Sequence, residues 1–250
     1  MAKAKKIKTN RRSGRRLFKG IVFLAICGTI IAFFVYVPFF TLKEIKLIGA
    51  EKMTVEDILK SGDIYIGEPI FELETDKVAK RLSQDLRIET VTVRRIVPDT
   101  LEVRLKERTP LATIVCDYGY LDLDKNGKIL DSYKNLKEME IPMITGARVQ
   151  NKYIGDDVEN DFVVKILDFL TKLDEFSLNK ISEVAVISSD YIVAYTDSEK
   201  PVQIRIGKLE ERTDEKAHLV QDFLHDLDSN PHDVEYVDFN YTAPFIKLAR

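Results

Sequence analysis

Gly20–Val37 reads GIVFLAICGTIIAFFVYV, eighteen residues without a charge, and it constrains the rest of the chain. About 20 residues of helix, at roughly 1.5 Å of rise each, cross a hydrocarbon core about 30 Å thick. A buried soluble helix would show a polar face, and this run offers only Gly28 and Thr29. The expectation is one transmembrane helix, spanning residues 20–40. Residues 1–19 carry nine lysines and arginines and no acid. Such a cluster stays cytoplasmic, so the N-terminus is expected inside and the bulk outside. A cleavable signal peptide would have a shorter apolar core and a small-x-small site, where this chain has Tyr-Val-Pro-Phe-Phe. The reading is an uncleaved, single-pass type II anchor.

Charge divides unevenly about the span. Past the tail, 29 basic residues face 41 acidic ones, a net charge of −12. An acidic external part excludes a nucleic-acid partner there. About 210 residues remain outside, enough for two modest domains. Cys27 lies in the span and Cys116 beyond it, so the two cannot pair.

From the span outward, Thr41–Ile48 alternates apolar and charged residues as a strand does, and Gly49–Lys52 turns. Thr54 caps a short helix whose first turn carries Glu56 and Asp57. Thr75 or Asp76 caps a second helix, 77–84. Ile88–Val97 and Thr100–Lys106 form a hairpin across Pro98-Asp99. The order is β-α-α-β-β over residues 41–109. Residues 110–250 read as a mixed α/β second domain with a largely antiparallel sheet. Strands are expected at 111–115, 118–123, 127–131, 181–186, 191–195, 202–206 and 234–241. Helices are expected at 162–173 and 214–227, and Phe245–Leu248 closes the chain as an apolar stretch.

Candidate chemistry is thin. Asp122, Asp124, Asn126 and Gly127 begin like a calcium loop, but the twelfth position would be Tyr133, not a bidentate acid, and Asn-Gly is a common hairpin turn. His218, His225 and His232 are seven apart, about 10.5 Å along a helix, too far to share an ion. Cys116 and Ser188-Ser189 lack a recognisable base, and neither a G-x-S-x-G nor a Gly-rich phosphate loop occurs. No enzyme, cofactor or metal is expected. Arg94, Arg95, Arg104 and Arg108, with Lys106, gather positive charge on the hairpin. Pairing with Glu89, Glu102 and Glu107 accounts for most of it, and a contact with an acidic partner or a wall polymer is the sharper reading.

FTLKEIKLIGAEKMTVEDILKSGDIYIGEPIFELETDKVAKRL and RIETVTVRRIVPDTLEVRLKERTPLA resemble the POTRA module of the FtsQ/DivIB family of bacterial cell-division proteins. Thr54, Ile58, Gly67, Ile70 and Phe71 match in order, then Val93, Arg94, Pro98, Leu101, Val103, Glu107, Arg108, Pro110 and Ala112. VQIRIGKLEERTDEKAHLVQDFL and EYVDFNY are similar to the family's second domain. The resemblance implies a non-enzymatic scaffold of the cytoplasmic membrane at the division septum. Its implied partners are the bitopic proteins FtsB/DivIC and FtsL, through which septal peptidoglycan synthases are regulated. It implies docking by β-augmentation on the last strands, at Tyr236, Asp238, Asn240 and Tyr241. The family often has Arg where Asn240 stands, so a charged pair to the partner is not expected there, while backbone pairing survives. POTRA modules also occur in export and envelope-assembly factors, the alternative reading.

Overall fold

The computed structural model describes residues 11–36, 38–135, 141–188, 191–210, 212–241 and 243–249. Val37, Ser189 and the basic residues Lys3, Lys5, Lys6 and Lys8 lie outside them. The chain forms two compact units, Met1–Glu107 and Arg108–Arg250.

The first unit opens with helix α1, Arg11–Tyr36, and a 3-10 turn at Pro38–Phe40. Along α1 the large apolar side chains Phe18, Ile21, Phe23, Leu24, Ile31 and Phe33 are uncovered. Among the described residues no helix is long and apolar enough to cross a membrane. Then come β1 (Glu44–Ile48), α2 (Val55–Gly62), α3 (Thr75–Leu82), β2 (Ile88–Ile96) and β3 (Thr100–Glu107), with sheet order β1-β3-β2. β1 runs parallel to β3, and β2 and β3 form the hairpin, whose Val97–Pro98 peptide is cis.

Period-two burial on β3 sends Leu101, Val103 and Leu105 into the core, where they meet Ile58 of α2 and Val78 and Leu82 of α3. An irregularity in β2 between Ile88 and Thr90 inserts one extra residue. It lets Ile88 and Val93, which strict alternation would separate, both face inward. α2 begins with a full capping box between Thr54 and Asp57. α3 starts two residues earlier than the spacing suggests. Its N-cap is Glu74, which makes no side-chain capping bond.

The second unit is one nine-stranded sheet, order β12-β11-β10-β9-β8-β7-β4-β5-β6. Its strands are β4 (Ala112–Cys116), β5 (Gly119–Leu123), β6 (Ile129–Tyr133), β7 (Met143–Val149), β8 (Ile181–Ser188), β9 (Tyr191–Thr196), β10 (Gln203–Gly207), β11 (Val234–Asp238) and β12 (Phe245–Leu248). Five neighbouring pairs are antiparallel; β4–β7, β7–β8 and β10–β11 are parallel. Helices α4 (Asp161–Thr171), α5 (Glu175–Asn179) and α6 (Thr213–Ser229) complete the unit. α4 and α6 press Ile166, Phe169, Leu170, Val220 and Leu224 onto the sheet's apolar face.

β7, α5 and β11 depart from the sequence expectation. β7 and α5 were not foreseen, and the strand expected over 234–241 stops at Asp238. Asp238 there accepts from the backbone N–H and side-chain Nδ2 of Asn240, at 2.9 and 2.7 Å, which turns the chain out of the ladder.

Candidate functional site

A sheet of this length has two edges, and the second unit treats them differently. Along β6, the Ile129 N–H donates to Asp156 and the Ile129 carbonyl accepts from Gly155, so a loop covers part of that edge. β12 is paired to β11 on one side, through Phe245 opposite Asp238, Ile246 opposite Val237 and Lys247 opposite Tyr236. Ala249 donates to Asp233 on that same side. Alternation therefore leaves the N–H groups of Ile246 and Leu248 on the open side. All four residues of β12 are exposed, and Phe245, Ile246 and Leu248 are 48–59% accessible. A short apolar strand open along one side is a template for another strand. The edge strands of the first unit, EIKLI and IETVTVRRI, carry several charges, a usual guard against such pairing; β12 carries Lys247 alone.

The residues expected to dock partners lie beside this edge. Tyr236 is half-buried on β11. The Arg205 guanidinium sits 3.7 Å from its ring centroid, Lys247 Nζ 5.5 Å and the Phe245 ring 6.1 Å. The result is a cation–aromatic stack across β10, β11 and β12. Asp238 and Asn240 bond one another. The Asn240 side chain folds over Gly207, whose φ of +69° places the backbone where a Cβ would collide with Asn240 Oδ1. Tyr241 lies past the end of β11 and is 63% exposed. Phe245, Ile246 and Leu248 are the residues that sequence reasoning did not assign to the site. Their signal was a short apolar run after Pro244.

The basic cluster divides. Arg94, opposite Glu102, and Arg104, whose Nε donates to Glu102 at 2.7 Å, share one charged face with Lys106, which pairs with Glu89 at 3.2 Å. Arg104 comes first in holding the Glu102 carboxyl below its ordinary pKa. Arg95 donates to the Leu73 carbonyl within the first unit. Arg108 belongs to the second unit, where it donates to Asp124 at 2.6 Å. Glu107 has no basic partner on the hairpin. It accepts backbone N–H groups from Glu51, Lys52 and Met53 at 2.8–2.9 Å.

The calcium-like run is a turn closed on itself. Asp124 Oδ1 accepts from the Asn126 and Lys128 N–H groups at 2.8 Å, and its other oxygen takes Arg108. Asp122 accepts from Thr113 and Tyr133 hydroxyls at 2.7 Å. His225 pairs with Asp174 at 2.7 Å and stacks on Phe176. His225 comes first in drawing the Asp174 carboxyl down to about 2. Cys116 is buried. Among the described residues no group of three or more His, Cys, Asp or Glu is placed to hold a metal ion.

Two family profiles match in tandem. The POTRA domain of FtsQ type covers residues 40–108, and the C-terminal domain of cell division protein FtsQ/DivIB covers 112–240. The chain belongs to the FtsQ/DivIB family. Cell division protein FtsQ of Syntrophotalea carbinolica is 27% identical over 211 residues, 83% of this chain and 73% of that one. FtsQ of Geotalea daltonii is 23% identical over 212 residues, 83% and 75%. Cell division protein DivIB of Clostridium acetobutylicum is 29% identical over 124 residues, half of each chain. A solved structure of the major extracytoplasmic domain of the trans isomer of Geobacillus stearothermophilus DivIB overlaps half of this chain and 98% of its own. Its identity is 17% and its TM-score 0.34, too weak a likeness to bear on the fold. Membership supports a role in cell division.

Proposed function

We propose that this FtsQ/DivIB protein is a non-enzymatic scaffold of the division machinery, held in the cytoplasmic membrane by one span and docking other bitopic division proteins at the septum. The open apolar edge of β12 carries the reading. A partner strand laid along it gains backbone hydrogen bonds, each worth about 1 kcal/mol net, and covers Phe245, Ile246 and Leu248. Tyr236, Asp238, Asn240 and Tyr241 then supply recognition beside the ladder, Tyr241 as the projecting side chain and the other three as its buttress. FtsB/DivIC and FtsL are the proposed occupants, and septal peptidoglycan synthases the proteins regulated through them. Arg94 and Arg104 remain a proposed contact for an acidic partner or wall polymer.

The proposed layout is a basic cytoplasmic tail at 1–19, a span at 20–40, a POTRA domain at 41–109 and the FtsQ/DivIB-type domain at 110–250. The uncovered apolar side chains of α1 support the span, since lipid is the solvent such a surface needs. Anchoring beside partners anchored the same way raises their effective concentration.

The test uses Ile246→Pro and Tyr241→Glu in the full chain, titrated with purified FtsB/DivIC–FtsL. Proline removes an N–H from the open side and leaves the β11 ladder intact. Both variants should keep the wild-type circular dichroism and lose partner binding. Unaltered binding by Ile246→Pro removes this edge from the interface.

A further inference from the structure

The first unit carries an apolar patch that its own core does not use. Phe39, Tyr65, Ile66 and Phe71 are 45–65% exposed, although they flank fully buried Leu42 and Ile70. The loop holding three of them is strapped to the segment that follows α1. Gly67 donates to the Leu42 carbonyl at 2.8 Å, Leu42 donates to Glu68 at 2.8 Å, and Ile70 donates to Phe40 at 2.9 Å. Thr41 and Pro69 form a bridge between them. Phe39, Phe40 and Phe71 contact in succession, the first pair edge-to-face and the second tilted, with ring centroids 5.2 and 5.4 Å apart.

The tether is short. Phe40 lies four residues past Tyr36, the last residue of α1. Even fully extended, four residues reach at most about 14 Å. The interfacial layer on each side of a bilayer is about 5–8 Å thick, from the difference between a total of 40–45 Å and a core of 30 Å. That reach exceeds the layer, so the placement comes from the loop's bonds to Phe40, the last residue of the proposed span, and to Leu42, which set it at the depth where aromatic side chains concentrate in membrane proteins.

We infer that Ile66 and Phe71, with Tyr65 at the rim, rest in the lipid interface next to Phe39 and Phe40 at the end of the span, and give the first unit a second membrane contact beside it. The inference rests on the membrane-span reading and goes beyond it, because a span alone leaves the unit free to tilt. Glu68 and Glu72 lie in the same loop. The contact is accordingly apolar insertion into a zwitterionic surface, not attraction to anionic headgroups. Lys43, whose Nζ is 5.9 Å from the Phe39 centroid, is paired with Asp99 at 3.2 Å.

The chain contains no tryptophan, so one introduced indole reports its own surroundings. Full-length Phe71→Trp, Ile66→Trp and Phe23→Trp, each in phosphatidylcholine vesicles with brominated acyl chains, are read by emission maximum and quenching. Tyr153→Trp, at an exposed position of the second unit, gives the solvent reference. The expected result is blue-shifted, quenched emission from all three, deepest at Phe23→Trp. Quenching at Phe23→Trp with solvent-like emission at Phe71→Trp and Ile66→Trp overturns the second contact and leaves the span standing. No quenching at Phe23→Trp overturns the span and this inference together. Ile66→Trp, on the exposed loop, carries the test if Phe71→Trp alters the circular dichroism.

Discussion

Glu107 should hold the first unit together through the backbone of the β1–α2 turn. One oxygen, Oε1, accepts N–H groups from Glu51 and Lys52 at 2.9 Å and Met53 at 2.8 Å. Those three donors precede Thr54, the N-cap of α2, so the carboxylate ties the last residue of β3 to the start of the helix. A neutral hydrogen bond contributes about 1 kcal/mol net and a charge-assisted one roughly twice that. Met53 is buried and its N–H has no water to turn to, so its bond counts in full. Glu51 and Lys52 are exposed, and solvent replaces most of theirs. Glu107→Ala should therefore cost about 2–3 kcal/mol, and Glu107→Gln, which keeps the acceptor and loses the charge, about 1 kcal/mol. In hydrogen exchange of the full chain, β3 amides should exchange about 30- to 150-fold faster in the alanine variant and about fivefold faster in the glutamine one. The pH dependence has a definite sign. Partial burial raises the Glu107 carboxyl, the Met53, Lys52 and Glu51 N–H groups lower it, and the net is below its ordinary 4.5. A depressed folded-state pKa stabilises above the ordinary value, and that contribution fades as pH falls through the folded one. The gap between wild type and Glu107→Gln should narrow as pH is lowered from about 5 to about 3. A gap that stays constant over that interval, or β3 amides unchanged in Glu107→Ala at neutral pH, would refute the reasoning.

Other consequences follow from single contacts. Asp124→Ala leaves Arg108 and two turn N–H groups without their acceptor, and should cost about 3 kcal/mol in urea unfolding of the second unit. Gly207→Ala forces Asn240 off Asp238 and puts a Cβ at φ +69°. It should cost about 1–3 kcal/mol, and adding Asn240→Ala should relieve only the steric part of the loss in a thermal melt. The Asp85 carboxyl is drawn down to about 2, first by its hydrogen bond from Arg87. Asp85→Asn should therefore remove stability that wild type has above pH of about 4 and sheds toward pH 2, read from acid unfolding curves.

What the sequence disclosed depended on whether local pattern and tertiary role agreed. The β2–β3 hairpin and α2 were legible because Pro98-Asp99 and the Thr54–Asp57 box act locally. β7 was not, for a definite reason. Its buried residues are Ile144 and Val149, five apart, which no strand period produces. Gly146, at φ +76°, lets the backbone pass so close to the Val186 carbonyl that a side chain there would collide. The pairing to β4 slips at that point, between Ile114 and Val115. α5, with five residues, is shorter than two turns, so no helical period was there to read.

The same distinction separates the two halves of the docking reading. Tyr236, Asp238, Asn240 and Tyr241 came from a resemblance, and three of them turn out to be engaged within the unit. The stack of Arg205 on Tyr236 and the Asp238–Asn240 pair shape the end of β11. By ending that strand at Asp238 they bring the chain round through Pro244, so that β12 returns antiparallel and outermost. In the proposed docking they act through geometry one strand away, and substitutions test that. Asn240→Ala should loosen β12, raising exchange at the amides of Lys247 and Ala249. Tyr241→Glu should leave that exchange as it is and weaken docking alone. A Tyr241→Glu variant that unlocked β12 would make Tyr241 part of the buttress, and the recognition surface would pass to Phe245, Ile246 and Leu248.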